Sequence, residues 1–228
     1  ALVVTGQKVW TSLAHRADWC ILLCRTDPDA RKHLGISYLL VDMRSAGITV
    51  RPLVQITGEA EFNEVFFDDV RVPKANLVGQ LHQGWQVAMT TLLHERGTLG
   101  FALSGVLESQ LNKLTALAKA RNGHDAIIRD RLAHEWIVQQ ALKMTNYRSL
   151  TTLMQTGIPG PEGSAVKLAW SEANQRLTKL AMEILEGEDD GYWGHQQLRS
   201  RGNTIEAGTS EILRNIIAER VLGLPRSR

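Results

Sequence analysis

The stretch GNTIEAGTSEILRN, residues 202–215, has the pattern of a turn that leads into a helix. Gly208 allows the backbone to approach a ligand closely, and Thr209 or Ser210 is suited to cap the helix that follows. Glu211 falls in the first turn, where the helix dipole favours a negative charge. Free N–H groups at a helix start bind an anion or a polarised carbonyl, although an ordinary capped terminal helix has the same pattern.

The rest of the chain divides by its hydrophobic period. Residues 1–75 are rich in β-branched and aromatic residues and are broken by turn signals, which is typical of strands in a sandwich or barrel. From residue 82 the apolar residues recur at helical spacing, and helices with short connections predict a four-helix bundle. The sequence therefore predicts an α+β chain, with a partial middle β domain at 1–78 and a C-terminal α-helical bundle domain at 79–228.

Local signals add detail to this outline. Thr5-Gly6-Gln7 predicts a short hairpin, and the run 18–24, apolar on both faces, fits a central strand. Asp125 is a plausible N-cap, whereas the polar residues 188–202 predict an irregular segment. Each of these signals comes from neighbouring residues, and the structure that those residues adopt also depends on the segments that pack against them.

Composition excludes several classes of protein. With 43% hydrophobic residues the chain has ample material for a core, and a net charge of +2 argues against binding to nucleic acid or an anionic membrane. No apolar run reaches the ~20 residues that span a bilayer. Cys20 and Cys24, the only cysteines, share a strand face, which favours buried free thiols over a disulfide. Without a histidine cluster they also make a metal site improbable.

The stretch at 202–215 closely resembles the C-terminal signature of the acyl-CoA dehydrogenase family, flavoproteins that desaturate acyl-CoA thioesters. Further signatures follow in the family's order: GQKVWTS at 6–12, FNEVFFDDVRVP at 62–73 and HER at 94–96. The resemblance covers nearly the whole chain. It implies that the family's N-terminal helical domain is absent and that residues 1–78 are the tail of a β-barrel-like middle domain.

The resemblance also implies a reaction. A carboxylate in an apolar site removes the α proton, a hydride leaves the β carbon for FAD, and fixed donors stabilise the charge on the thioester oxygen. An electron-transferring flavoprotein then reoxidises the flavin. The expected setting is lipid metabolism such as fatty acid β-oxidation, in a homotetramer or another homo- or hetero-oligomer, in the bacterial cytoplasm or the mitochondrial matrix.

Two glutamates compete for the role of the base. In medium-chain members the base directly precedes the Gly-Thr of the C-terminal signature, but Ala207 stands there and Glu206 lies one residue earlier. In isovaleryl- and long-chain-type relatives the base directly precedes an arginine on the first helix of the last domain, which matches Glu95 before Arg96. We expect Glu95 to be the base, buried among neighbouring leucines, with Glu206 as the fallback; the alternative is a solvated glutamate in each case.

Other positions match the family's ligand contacts. Those matching FAD contacts are Trp10, Thr11, Ser12, Thr209 and Glu211. Those matching substrate contacts are Arg96, on the CoA path, and Ala207 with Gly208, where a backbone N–H binds the thioester oxygen. Each also has an ordinary structural explanation, such as a core aromatic residue or an ion pair.

Two departures from the family pattern concern the ADP half of FAD. Where many members have Arg-x-x-Phe-Gly, the chain reads RNGH at 121–124, and the acidic residues 186–191 replace a glycine-rich segment. Acidic side chains repel a pyrophosphate. The alternative function is therefore a non-catalytic subunit of a heteromeric acyl-CoA dehydrogenase complex. Divergent bacterial members, including those that act on steroid side chains, are where such losses are expected.

Overall fold

The computed structural model describes the chain except for residues 123, 159, 161, 189, 190, 227 and 228, and it does not describe the side chains of residues 96–98 and 122. The chain forms two compact units, Ala1–Leu92 and Leu93–Arg228. Among the described residues, none of the helices combines the length and the apolar character needed to cross a membrane. The same residues contain no group of three or more histidine, cysteine, aspartate or glutamate side chains that could hold a metal ion.

The first unit consists of two antiparallel sheets. One has the strand order β1 (Leu2–Ser12), β5 (Phe62–Val72) and β4 (Ile48–Leu53), and the other β2 (Trp19–Arg25), β3 (Ile36–Asp42) and β6 (Leu77–Val78). Alternate side chains of both sheets meet in one core, which includes Leu22, Leu39 and Val41 from the second sheet and Val65, Phe67, Val70 and Val72 from β5. The sheets do not close into a barrel within the described residues.

The predicted hairpin at residues 5–7 is wrong. These residues lie inside β1, where Gly6 is opposite Phe67, and irregularities rather than a turn interrupt the pairing with β5. A glycine within a strand pattern marks a bulge as readily as a turn, and only the long-range partner decides between them.

The predicted central position of β2 is also wrong, because β2 lies at the edge of its sheet and pairs with β3. Cys20, Leu22 and Cys24 face the core, whereas Trp19 and Ile21 on the other face are each 56% exposed. An apolar run indicates that both faces of a strand can be covered, but it does not identify what covers them.

The second unit is helical. Its elements are α1 (Gly84–Asn122), whose first turns belong to the first unit, α2 (Ala126–Thr156), α3 (Glu162–Ile184), α4 (Tyr192–Ser200) and α5 (Ser210–Ile216), which continues as a π-helical turn at Ile217–Val221. One apolar core joins the first four of these helices and includes Leu107, Leu111 and Leu114 of α1, Leu142 of α2, Leu177 and Ile184 of α3, and Trp193 of α4.

Two local predictions about the helices have different outcomes. Asp125 caps α2, as predicted, because its side chain accepts hydrogen bonds from the N–H groups of Ile127 and Ile128. The predicted irregular segment at 188–202 is wrong, since most of it forms α4. This helix is short and polar and carries one fully packed aromatic side chain, Trp193 at 3% exposure, so its hydrophobic period is weak.

A buried polar contact joins α1 to α2. Asn146 is 3% exposed, and its Nδ2 donates a hydrogen bond of 2.9 Å to the carbonyl oxygen of Gly100. A Cβ atom at Gly100 would lie 2.4 Å from Oδ1 of Asn146, whereas a Cβ atom at Gly105 on the same helix would meet nothing within 4 Å. The absence of a side chain is therefore required at Gly100 and not at Gly105.

The two glycines provide a matched pair of substitutions. Gly105→Ala should raise the free energy of unfolding by about 0.5–1 kcal/mol, because alanine favours the helix. Gly100→Ala should lower it by about 1–2 kcal/mol, because the displaced Asn146 loses a buried hydrogen bond that outweighs the same helix gain. Urea denaturation measures both values, and a stabilised Gly100→Ala variant would contradict the proposed packing.

The cysteines are free, as predicted, and both are half-buried against the sheet core. Burial raises the pKa of the Cys20 and Cys24 thiols, and the charge of Lys8 opposes this to a smaller extent. Because the thiolate is the reactive form, both thiols should react with Ellman's reagent at mildly alkaline pH at least about tenfold more slowly in the native protein than in denaturant. Equal rates in the two conditions would contradict the burial of these side chains.

Candidate functional site

The candidate site is built around the connection between α4 and α5. A 3-10 turn at Arg201–Thr204 follows α4, and residues 205–209 lead into α5. Thr209, one of the two predicted capping residues, is the N-cap, because its hydroxyl accepts a hydrogen bond from the N–H of Ile212 at 3.3 Å. Glu211 lies in the first turn of the helix. We call residues 203–209 the site turn.

The backbone of the site turn passes through the left-handed region. Ala207 has φ = 50° and Gly208 has φ = 100°. This conformation costs an alanine roughly 1–2 kcal/mol, so it persists only where surrounding contacts impose it. Within the described residues the N–H groups of Ala207 and Gly208 have no hydrogen-bond partner, and Ala207 is exposed. Successive free N–H groups in such a turn form a concave donor site for an anion or a carbonyl oxygen.

A polar stripe on α3 holds the site turn. Lys167 is 3% exposed, and its Nζ donates hydrogen bonds to the carbonyl oxygens of Asn203 at 2.7 Å and Gly208 at 2.8 Å. Ser171 Oγ lies 2.9 Å from the same Asn203 oxygen, and Asn174 Nδ2 donates to Asn203 Oδ1 at 2.7 Å. The sequence prediction missed these three residues. The signal was their helical spacing among the apolar residues of α3, which placed polar groups on a buried face.

Glu206 is engaged within the site turn. Arg199 donates to its two carboxylate oxygens at 3.2 Å and 2.9 Å, and Asn203 Nδ2 donates to Oε1 at 2.7 Å. The Arg199 and Glu206 side chains are 28% and 30% exposed. These hydrogen bonds account for Glu206 as a structural residue that closes the turn, and its role as an alternative base stays a prediction.

Glu95 lies on α1 and is exposed, so the expected burial among leucines is not found in this chain. Leu92 is 40% exposed, and Leu93 and Leu99 are half-buried. Leucines next to a glutamate in sequence enclose it only when another element packs over them, and a sequence pattern does not reveal that element. The side chain of Arg96, the predicted substrate contact, lies outside the described residues.

The predicted flavin contacts of the first unit lie at the end of β1. Trp10 has φ = 60° within a bulge, its side chain is 64% exposed, and its ring meets Phe62 edge-on at 6.0 Å. Thr11 is half-buried and Ser12 is exposed. Positive φ is costly for a bulky residue, and here it accompanies an indole held out from the sheet. An exposed indole beside two hydroxyls fits a planar ring such as isoalloxazine.

Thr209 and Glu211 line a cavity of about 380 Å³ beside α5. Arg214 in its wall forms an ion pair with Glu172, and the buried Oγ of Ser210 has no hydrogen-bond partner among the described residues. Hydrogen bonds from its own backbone N–H and from the Thr209 hydroxyl lower the pKa of Glu211, with a smaller contribution from Arg214. The cavity therefore presents hydroxyls and both signs of charge, which suits a polar ligand.

The two segments that depart from the family pattern contact each other in the structure. Arg121 donates to Glu188 Oε2 at 2.9 Å, and the two side chains are 41% and 70% exposed. A carboxylate on this guanidinium competes with a phosphate for the same donors. The residues here do not fit the pyrophosphate of FAD, whereas the strand end at Trp10 fits its ring.

Solved structures of other proteins also contain a unit of two sheets followed by a helical unit. The steroid ACAD Tcur3481-Tcur3483 superposes with a TM-score of 0.88 at 29% identity, over 99% of this chain and 61% of that one. The ChsE4-ChsE5 complex from Mycobacterium tuberculosis superposes with a TM-score of 0.85 at 31% identity, over 99% of this chain and 62% of that one.

Sequence comparison identifies the family. The model for the acyl-CoA dehydrogenase middle domain matches residues 1–70, and the model for the C-terminal domain matches residues 82–222. The chain belongs to the acyl-CoA dehydrogenase family. It is 43% identical to the acyl-CoA dehydrogenase IpdE1 of Mycobacterium tuberculosis over 98% of this chain, and it spans 60% of the length of IpdE1. The acyl-CoA dehydrogenase FadE34 of the same organism is 41% identical over 98% of this chain and 31% of its own length.

The predicted family and the predicted α+β fold are confirmed. The domain boundary at 78/79 and the roles of the individual site residues stay predictions.

Proposed function

We propose that this chain takes part in the FAD-dependent dehydrogenation of an acyl-CoA thioester between its α and β carbons. The observation that carries the proposal is the site turn, which presents the free N–H groups of Ala207 and Gly208 in a chain of the acyl-CoA dehydrogenase family. A thioester oxygen gains negative charge when the α proton leaves, and fixed backbone donors stabilise that charge without reorganising. The Ala207 N–H is the proposed donor to this oxygen, beside Gly208, whose lack of a side chain leaves room for the thioester.

Glu95 is the proposed base. Its carboxylate is exposed on α1 and therefore accessible to a thioester arriving from solvent. A bound acyl group displaces water from the carboxylate, which strengthens it as a base toward the α proton. Arg96, the next residue, is the proposed contact for the CoA moiety.

Trp10, Thr11 and Ser12 are the proposed contacts for the flavin ring. Thr209 and Glu211 are also proposed as FAD contacts, by the resemblance to the family. FAD, when bound, supplies the acceptor for the hydride from the β carbon. The proposed electron acceptor is an electron-transferring flavoprotein, and the proposed assembly is a dimer or tetramer of like or unlike chains.

The mycobacterial relatives favour the bacterial cytoplasm over the mitochondrial matrix, and the steroid ACAD favours a polycyclic acyl group over a short chain as substrate.

A matched pair of variants tests the base. Flavin-loaded protein is mixed without oxygen with straight-chain, branched and steroid acyl-CoAs, and the loss of the oxidised flavin absorbance is followed. Glu95→Gln should keep the flavin absorbance but slow its loss by about 10²–10⁴-fold, because the proton acceptor is gone. Glu206→Gln should stay within about tenfold of the wild-type rate, because its carboxylate closes the turn. Flavin reduction at the wild-type rate in Glu95→Gln would rule out Glu95 as the base. Slow flavin reduction in Glu206→Gln alone would assign the role of the base to Glu206.

The second candidate function is a non-catalytic subunit of a heteromeric complex. The Arg121–Glu188 ion pair favours this function, because the pair lies where many family members have a contact to the ADP half of FAD. Two structurally similar proteins are also named as pairs of chains. Under this proposal the purified chain is colourless by visible absorbance and becomes yellow after co-expression with a second acyl-CoA dehydrogenase chain. A chain that binds stoichiometric FAD alone and is reduced by an acyl-CoA contradicts this alternative.

A further inference from the structure

The inference concerns Lys167, a cation buried in the middle of α3 at 3% exposure. Taking an ammonium group out of water costs a large free energy unless hydrogen bonds compensate for the lost hydration. The packing around it is tight, since Val166 and Trp170 beside it are 2% and 7% exposed and Ala173 is fully buried. Lys167 is therefore held on a rigid helix, and its Nζ has little freedom to move.

The two carbonyl oxygens that Lys167 binds lie on either side of Ala207 in the site turn. Asn203 precedes Ala207 by four residues, and Gly208 follows it directly. A single donor group that binds both carbonyls fixes the distance between the ends of this segment. The Ser171 hydroxyl, in contrast, lies 2.9 Å from the Asn203 carbonyl oxygen and 2.7 Å from the Lys167 carbonyl oxygen, and no hydrogen bond joins it to Gly208 in the described part of the chain.

The conformation at Ala207 requires such a constraint. A left-handed alanine relaxes toward ordinary backbone angles unless its surroundings prevent it. The Arg199–Glu206–Asn203 hydrogen bonds tie the start of the turn, but they end before residue 207. The bond from Lys167 to the Gly208 carbonyl is a described side-chain contact directly after Ala207, and the Arg214–Glu172 ion pair joins α5 to α3 further along the chain.

We propose that Lys167 is a positioning residue for the dehydrogenation: it holds the peptide groups of Ala207 and Gly208 so that their N–H groups point together at the thioester oxygen. This inference rests on the proposed function. Lys167 does not touch the reacting atoms. It acts through the backbone of the site turn, and its loss should affect the charged transition state more than the binding of the ground-state thioester.

The test compares Lys167→Met with Ser171→Ala in flavin-loaded protein. Both substitutions remove a polar group that lies within hydrogen-bond distance of the Asn203 carbonyl oxygen, but only the first removes the bond to Gly208. The probe is the acyl-CoA that reduces the wild type fastest. Lys167→Met should lower the limiting rate of flavin reduction by about 10²-fold, as expected for a lost oxyanion donor, with an apparent Kd within about threefold of the wild type. Ser171→Ala should keep both constants near wild-type values.

Amide hydrogen exchange of Ile205 and Glu206, whose N–H groups donate to the Gly202 carbonyl oxygen, provides a second readout that does not depend on activity. Their exchange should accelerate by at least about tenfold in Lys167→Met and stay near the wild-type rate in Ser171→Ala, because only the first removes the hydrogen bonds at both ends of the turn. If Lys167→Met does not fold, Lys167→Gln takes its place, since glutamine keeps a donor in the core but is too short to bind both carbonyls.

The outcomes separate the inference from the function on which it rests. A wild-type rate of flavin reduction in the lysine variants overturns the positioning role. So does a decrease of that rate in Ser171→Ala that equals the decrease in Lys167→Met. If no acyl-CoA in the panel reduces the wild type, the proposed function is overturned. The exchange rates then decide by themselves whether Lys167 holds the turn.

Discussion

The candidate site depends on one buried ammonium group that binds two backbone carbonyls. Lys167 lies on α3, which contributes Val166, Trp170 and Ala173 to the core of the second unit, and it binds the Asn203 and Gly208 oxygens of the site turn. Ser171 and Asn174 reinforce the Asn203 end. An apolar residue at 167 would also fill this buried position of α3, but it would leave both carbonyls without this donor, so packing alone does not explain a lysine here.

Backbone strain occurs at two positions that the family resemblance assigns to ligands. Trp10 and Ala207 both have positive φ, although neither is glycine. The surroundings differ between the units: Trp10 lies in an irregularity of the pairing between β1 and β5, whereas the residue after Ala207 accepts a hydrogen bond from Lys167 of α3. Such angles persist only where the surrounding structure over-determines them. Positive φ also occurs at Leu13, Lys32, Asp69, His82 and Glu186, so the angle by itself does not mark a ligand site.

Charged side chains of the second unit are largely used by the fold itself. Glu206 closes the site turn with Arg199, and Arg121 is paired with Glu188. These pairs engage Glu206 and Arg121 within the fold. The proposed chemistry is assigned to Glu95 on α1 and to the backbone of the site turn. The side chain of Glu95 is exposed in this chain, which spans 60% of the length of its relative IpdE1.

The sequence by itself determined the family, the order of strands before helices, a cap at Thr209 or Ser210, the Asp125 cap and the free cysteines. These features depend on residues close together in the chain, or on a composition that few structures satisfy. Only the tertiary structure decided that residues 5–7 are part of a strand, that β2 lies at an edge, that α4 is a helix and that Glu95 is exposed. Each depends on a partner distant in sequence: β5 pairs with Gly6, the core encloses Trp193, and an element that would cover Glu95 leaves no mark on its neighbours. Lys167 illustrates the same limit, because its residue type was visible in the sequence, but the carbonyls that hold it come from residues 36 and 41 positions away.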